Sequence, residues 1–64
     1  MEKFVERMYE EKAGLDEKTI KLMDFVKSDS FEKLNKTRQQ LLKAQLGAME
    51  AYSEILLLRI ELEK

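Results

Sequence analysis

The stretch "RQQLLKAQLGAMEAYSEILLLRI", Arg38 to Ile60, decides how this chain folds. Wound into a helix, it carries two seams that advance by alternating steps of three and four. The first, Leu41, Ala44, Ala48, Ala51, Ile55, Leu58 and Leu62, is purely apolar and rich in alanine. Beside it runs a mixed seam: Arg38, Leu42, Gln45, Met49, Tyr52, Leu56 and Arg59. Leu46, Leu57 and Ile60 widen the surface, and only the arc of Lys36, Lys43, Gly47, Glu50, Glu54 and Glu61 is plainly suited to water. One neighbouring helix with an apolar stripe ~100° wide cannot cover such an arc. Left bare, it exceeds the apolar patch that soluble monomers usually carry. Self-association is therefore expected, with the alanine seam assigned to contact within a hairpin or to a tight dimer.

Upstream, the absence of proline and the wealth of Leu, Glu, Lys, Gln, Met and Ala favour helix. A first helix is expected over about residues 2–27, with Phe4, Val5, Met8, Leu15, Thr19, Leu22, Met23 and Val26 on one face. Gly14 interrupts it at a cost of ~1 kcal/mol relative to alanine, as a bend or as a place where another backbone comes close. In "KSDSFEKLNKTRQ", Asp29 with Glu32 and Thr37 with Gln40 each have the spacing of a capping box. These place a short helical turn at about 31–35, with Phe31 and Leu34 plugging the end of the hairpin, and a last helix over about 38–63. So short a connection makes an antiparallel αα-hairpin the economical topology. The expected fold is all-α, a single domain over 1–64 that assembles into a homo-oligomeric helical bundle.

The bounds agree. A chain of 64 residues supplies a core worth only roughly 3–5 kcal/mol without a staple. With no cysteine or histidine, disulfides and the usual zinc ligand sets are excluded, which leaves oligomerisation. Twelve basic and thirteen acidic residues, intermingled to a net charge of −1, do not form the clustered basic face that DNA or RNA polymers need. No apolar run approaches the ~20 residues of a membrane span. No export signal opens the chain, so no membrane partner and a cytoplasmic location are expected. No cofactor is implied. An enzyme is not expected either, since there is no nucleophile elbow or glycine-rich phosphate loop. The carboxylates sit at helical spacing from lysines as solvated ion pairs; Glu6, Glu10 and Glu11 are the least implausible metal cluster.

The polar members of the mixed seam admit two readings. In one they set register and oligomer state; in the other they hold a small anion between protomers. An arginine fork matches phosphate bidentately, a tyrosine offers a flat face and a hydroxyl, and an amide both donates and accepts. With Lys27 level with Arg38, hairpin geometry puts Arg59 near Arg7 and Tyr9, and Tyr52 near Lys12 and Ala13. Clustered cations are unfavourable without an anion between them. Arg7, Tyr9, Lys12, Gln45, Tyr52 and Arg59 are thus the candidate ligand-binding residues.

The segments "ERMYEEKAGLDEKTIKLMDFV", Ser28, Phe31 and "LLKAQLGAMEAYSEILLLRI" resemble a family of very small phage and prophage proteins related to a crAss-phage small protein. The resemblance spans about residues 6–61, and Arg7, Lys12, Gln45, Tyr52 and Arg59 match its pattern with non-core chemistry. Such hairpins look like the phage anti-defence sponges, which oligomerise and hold nucleotide immune signals between protomers. The signals are cyclic oligonucleotides of CBASS systems or ADP-ribose derivatives of Thoeris systems. The tryptophan and Gly-Phe-Met run of the better-known hairpin sponges are missing here. The resemblance thus implies a sponge for a phosphate-bearing nucleotide; the alternative is an adaptor or inhibitor docking a helix face onto a host or phage protein.

Overall fold

A computed structural model describes residues 3–64, so the start expected at Glu2 lies outside the described residues. Three helices follow in order: α1 (Lys3–Val26), α2 (Asp29–Glu32) and α3 (Lys36–Leu62). α1 and α3 pack against each other as the arms of a hairpin with α2 at the turn, giving a rod 46 × 15 × 13 Å. No helix among the described residues is long and apolar enough to cross a membrane.

The arms meet along one narrow seam each. On α1 the seam is Val5, Met8, Lys12, Leu15, Thr19, Leu22 and Val26, with Asp16 and Met23 partly covered beside it; on α3 it is Gln39, Leu42, Leu46, Met49, Ser53, Leu56 and Ile60. Both series step by three and four, the spacing of packed antiparallel helices. Val5 and Met8 close on Leu56 and Ile60 to form the best-buried cluster, with Leu15 packed against it. Phe4, expected on the inner face, is 47% exposed; Lys12 fills the stripe instead. Thr19 is buried because its hydroxyl donates to the Leu15 carbonyl one turn back, at 2.8 Å, which satisfies the polar group inside the helix.

This pairing settles which seam of α3 faces α1. The alanine-rich seam does not: Leu41, Ile55, Leu58 and Leu62 are 64, 51, 58 and 82% exposed, and Ala44, Ala48 and Ala51 are exposed beside them. At 3.6 residues per turn it runs about 180° from the inner seam. α3 therefore carries two apolar stripes back to back, and its hairpin mate covers one. Of the mixed seam, Leu42, Met49 and Leu56 turn inward while Arg38, Gln45, Tyr52 and Arg59 stay exposed on the rim.

The turn is capped differently from expectation. Ser28, not Asp29, is the N-cap of α2: its Oγ accepts from the Phe31 amide at 3.3 Å and donates to the Phe25 carbonyl at 2.6 Å. One hydroxyl thus closes the end of α1 and opens α2. Asn35, not Thr37, caps α3, its Oδ1 accepting from the Arg38 amide at 2.9 Å, so α3 begins two residues before Arg38. The short helix is Asp29–Glu32 rather than 31–35. Phe31 is buried in the corner, edge-on to Phe25 at 6.1 Å between ring centres, with the Lys43 ammonium 5.8 Å from its ring centroid. Gln39 Nε2 reaches back to the carbonyls of Phe31, Glu32 and Leu34 at 3.1, 3.4 and 2.9 Å. α1 runs unbroken through Gly14. A methyl group at Gly14 or Gly47 would meet nothing within 4 Å among the described residues, so no approach among them accounts for either glycine.

Candidate functional site

The candidate residues fall into three places. Lys12 is engaged inside the hairpin: its Nζ donates to Asp16 Oδ2 at 2.7 Å and to Ser53 Oγ at 3.2 Å. Ser53 Oγ in turn donates to Asp16 Oδ1 at 2.5 Å. The hydrogen bond from Lys12, then that from Ser53, holds the Asp16 carboxyl below its ordinary value. This triad sits in the middle of a largely apolar seam, where a polar group without partners would be costly. Lys12 is thus supplied with acceptors by its own chain.

Arg7 and Tyr9 are exposed on α1. Tyr9 and Glu11 are two residues apart and so roughly 200° apart around the helix. Because Tyr52 Oη donates to Glu11 Oε2, Tyr52 belongs to the edge of the hairpin away from Tyr9. The two tyrosines do not converge.

Gln45, Tyr52 and Arg59 share the rim of α3 with Arg38, one every seven residues. Gln45 Nε2 lies 3.9 Å from Met49 Sδ. The bond to Glu11 raises the Tyr52 pKa above its ordinary value, so the phenol stays a donor, and Arg59 stands two turns further along the same exposed rim. Beside Tyr52 the two arms leave an open hollow of about 340 Å³ lined by Glu10, Glu11, Gly14, Leu15, Lys18 and Tyr52. Gly14 leaves its floor free of side chain, and Lys18 adds a cation. A second hollow, about 360 Å³, lies near the turn between Phe25, Leu34, Arg38, Leu41 and Leu42. Neither Lys18, Arg38 nor Arg59 has a salt-bridge partner among the described residues.

Lys18 and Gly14 were not among the residues the sequence singled out for ligand binding. Their signal was available in the hairpin register: with Glu11 opposite Tyr52, Lys18 one heptad on falls opposite Gln45, on the same edge.

The fold and this edge define a small α-helical hairpin with ligand-sized hollows and cationic groups along one rim. The chain belongs to the Sequestin family, whose profile matches residues 2–62; the family name denotes sequestration. No curated protein and no solved structure matches the chain.

Proposed function

We propose that the chain is a phage anti-defence protein that captures a phosphate-bearing nucleotide immune signal between protomers of a homo-oligomer in the host cytoplasm, and does so without chemistry. The signal is of the cyclic ADP-ribose or cyclic oligonucleotide type. The observation that carries the reading is the rim on which Tyr52 stands beside the Gly14 floor, with Lys18 and Arg59 on the same edge. A flat aromatic face beside an unobstructed backbone suits a base, and exposed cations along the same edge suit phosphates. Membership of the Sequestin family supports capture rather than turnover. Tyr9 and Lys12 have lesser parts in this reading, since the first lies away from the rim and the second is held by Asp16 and Ser53. Arg7, one turn before Glu11 on continuous α1, adds a cation on the same edge as Lys18.

The test is calorimetric titration with cyclic dinucleotides, cyclic trinucleotides and ADP-ribose isomers. One class binds the wild type, and Lys18→Ala and Arg59→Ala each weaken it at least tenfold while helicity is unchanged. Absence of heat with every member of the panel refutes the reading for those signals. The exposed leucines of the outer seam favour a second reading, a helix-docking adaptor. A stoichiometric protein partner retained with purified protein, together with no nucleotide binding, would decide for it.

A further inference from the structure

We infer that the outer seam of α3 pairs with the same seam of a second copy, antiparallel and about a two-fold axis at Ala48. The surface area asks for a partner first. The chain exposes 5155 Å², whereas a compact monomer of 7.6 kDa exposes roughly 4,300 Å² by mass scaling. The surplus comes from the 46 × 15 × 13 Å rod shape. Along it Leu41, Ile55, Leu58 and Leu62 stand 64, 51, 58 and 82% exposed in one line, a continuous apolar face that a second copy of the same length can cover.

The order of residue sizes along the seam then selects the direction. Its centre is small, Ala44, Gly47, Ala48 and Ala51, all exposed, so two backbones can approach closely there. In an antiparallel pair, residues equidistant from Ala48 are level. Leu41 meets the partner's Ile55, while Leu58 and Leu62 arrive level with the partner's Arg38 and the partner's Leu34. Those last two residues line the hollow near the turn, whose remaining walls are Phe25, Leu41 and Leu42. Each copy thus offers leucine knobs at one end of the seam and an apolar recess at the other, equally far from the centre. This is the self-complementarity that a two-fold contact requires. A parallel pair would set knob against knob and leave both recesses empty.

The pairing also completes the rim. On one flank of the seam stand Gln40, Gly47, Glu54 and Glu61; on the other stand Arg38, Gln45, Tyr52 and Arg59. Like flanks face each other in an antiparallel pair, so Arg38 comes within one residue of level with the partner's Arg59, and Gln45 with the partner's Tyr52. The dimer gains a groove walled by α1 on one side and by the partner's α3 on the other. At each end of it stand two guanidinium groups from different copies, which repel unless an anion lies between them. That this groove receives the nucleotide phosphates rests on the function proposed above; the helix pairing does not.

Disulfide trapping tests the pairing, because the chain has no cysteine of its own and the substituted positions are exposed. Ala48→Cys is expected to form a covalent dimer on oxidation. Leu41→Cys and Ile55→Cys are each expected to stay uncrosslinked alone, since like positions lie ~21 Å apart along the axis, beyond the ~7 Å reach of a disulfide. Mixed together, they are expected to give a crosslinked heterodimer. Self-linking of Leu41→Cys or Ile55→Cys, no heterodimer from the mixture, or a folded monomer by sedimentation at the same concentration overturns the pairing. The experiment contains no nucleotide, so its failure is separate from a failure of ligand binding.

Discussion

Replacing each glycine by alanine separates what the lone hairpin demands from what its assembly demands. Both Gly14 and Gly47 lie within continuous helix, and a β-carbon at either meets nothing within 4 Å. Helix propensity alone then predicts that Gly14→Ala and Gly47→Ala each stabilise the chain by ~1 kcal/mol, or about 4–8 °C in a domain of this size. The α3 pairing breaks that equality. Gly47 lies one residue from the two-fold axis at Ala48, on the flank of the seam where the two backbones come closest, and an added methyl group there separates them; overpacking of this kind costs ~1–3 kcal/mol. Gly14→Ala is therefore expected to raise the melting temperature at every protein concentration. Gly47→Ala is expected to raise it only under dilution, where the dimer is absent, and to leave it unchanged or lower it at high concentration. Thermal melts by circular dichroism over a dilution series read both. Equal stabilisation by the two substitutions at high concentration would refute a close crossing at Gly47. Gly14→Ala should also weaken nucleotide capture, because it fills the floor beside Tyr52.

Three further outcomes follow from the hairpin itself. Leu56 is fully buried, so Leu56→Ala should cost ~2–5 kcal/mol, as much as the core of so small a chain supplies; loss of the helical signal at low concentration checks it. Asn35→Ala removes the side-chain acceptor at the start of α3 and should cost ~1 kcal/mol, read as a lower melting temperature with unchanged oligomer size. Asp16 has a depressed pKa in the fold, so its contribution is present above the ordinary carboxylate value of ~3.9 and is lost as pH falls through the lower folded value. The melting temperatures of wild type and Asp16→Asn should differ near neutrality and converge on acidification below that range; a constant gap would count against the triad.

The helices and their antiparallel register were legible because periodicity and a short connection leave few alternatives. Placing Lys27 level with Arg38 puts Tyr52 beside Lys12, and the structure has Tyr52 on Glu11 and Ser53 on Lys12. Which stripe of α3 faces inward was not legible. Pattern reading leaves the purely apolar stripe to the hairpin or to a dimer; the inner seam contains Gln39 and Ser53, and α1 answers with Lys12. Each of these polar groups finds a partner in the fold, and partners supplied from elsewhere in the chain are invisible to hydropathy. The caps were misplaced for a related reason. Ser28 and Asn35 each compete with a nearby Asp or Thr of similar capping preference, and only the path of the corner decides between them. Of the candidate site, Gln45, Tyr52 and Arg59 share a rim because they are spaced by seven on one helix. Tyr9 was placed by level along the rod alone, without the angle around it.

The amide of Gln39 bears on how the rod can move. By gripping three carbonyls at the end of α2, it ties the elbow to the base of α3. A two-armed chain with a loose elbow can straighten and exchange arms with a neighbour, trading one closed shape for an entangled pair. Here straightening would first strip Gln39, Ser28 and Asn35 of their partners. Copies should therefore meet as finished, stiff pieces, and protein made at high abundance should remain free of interlocked by-products.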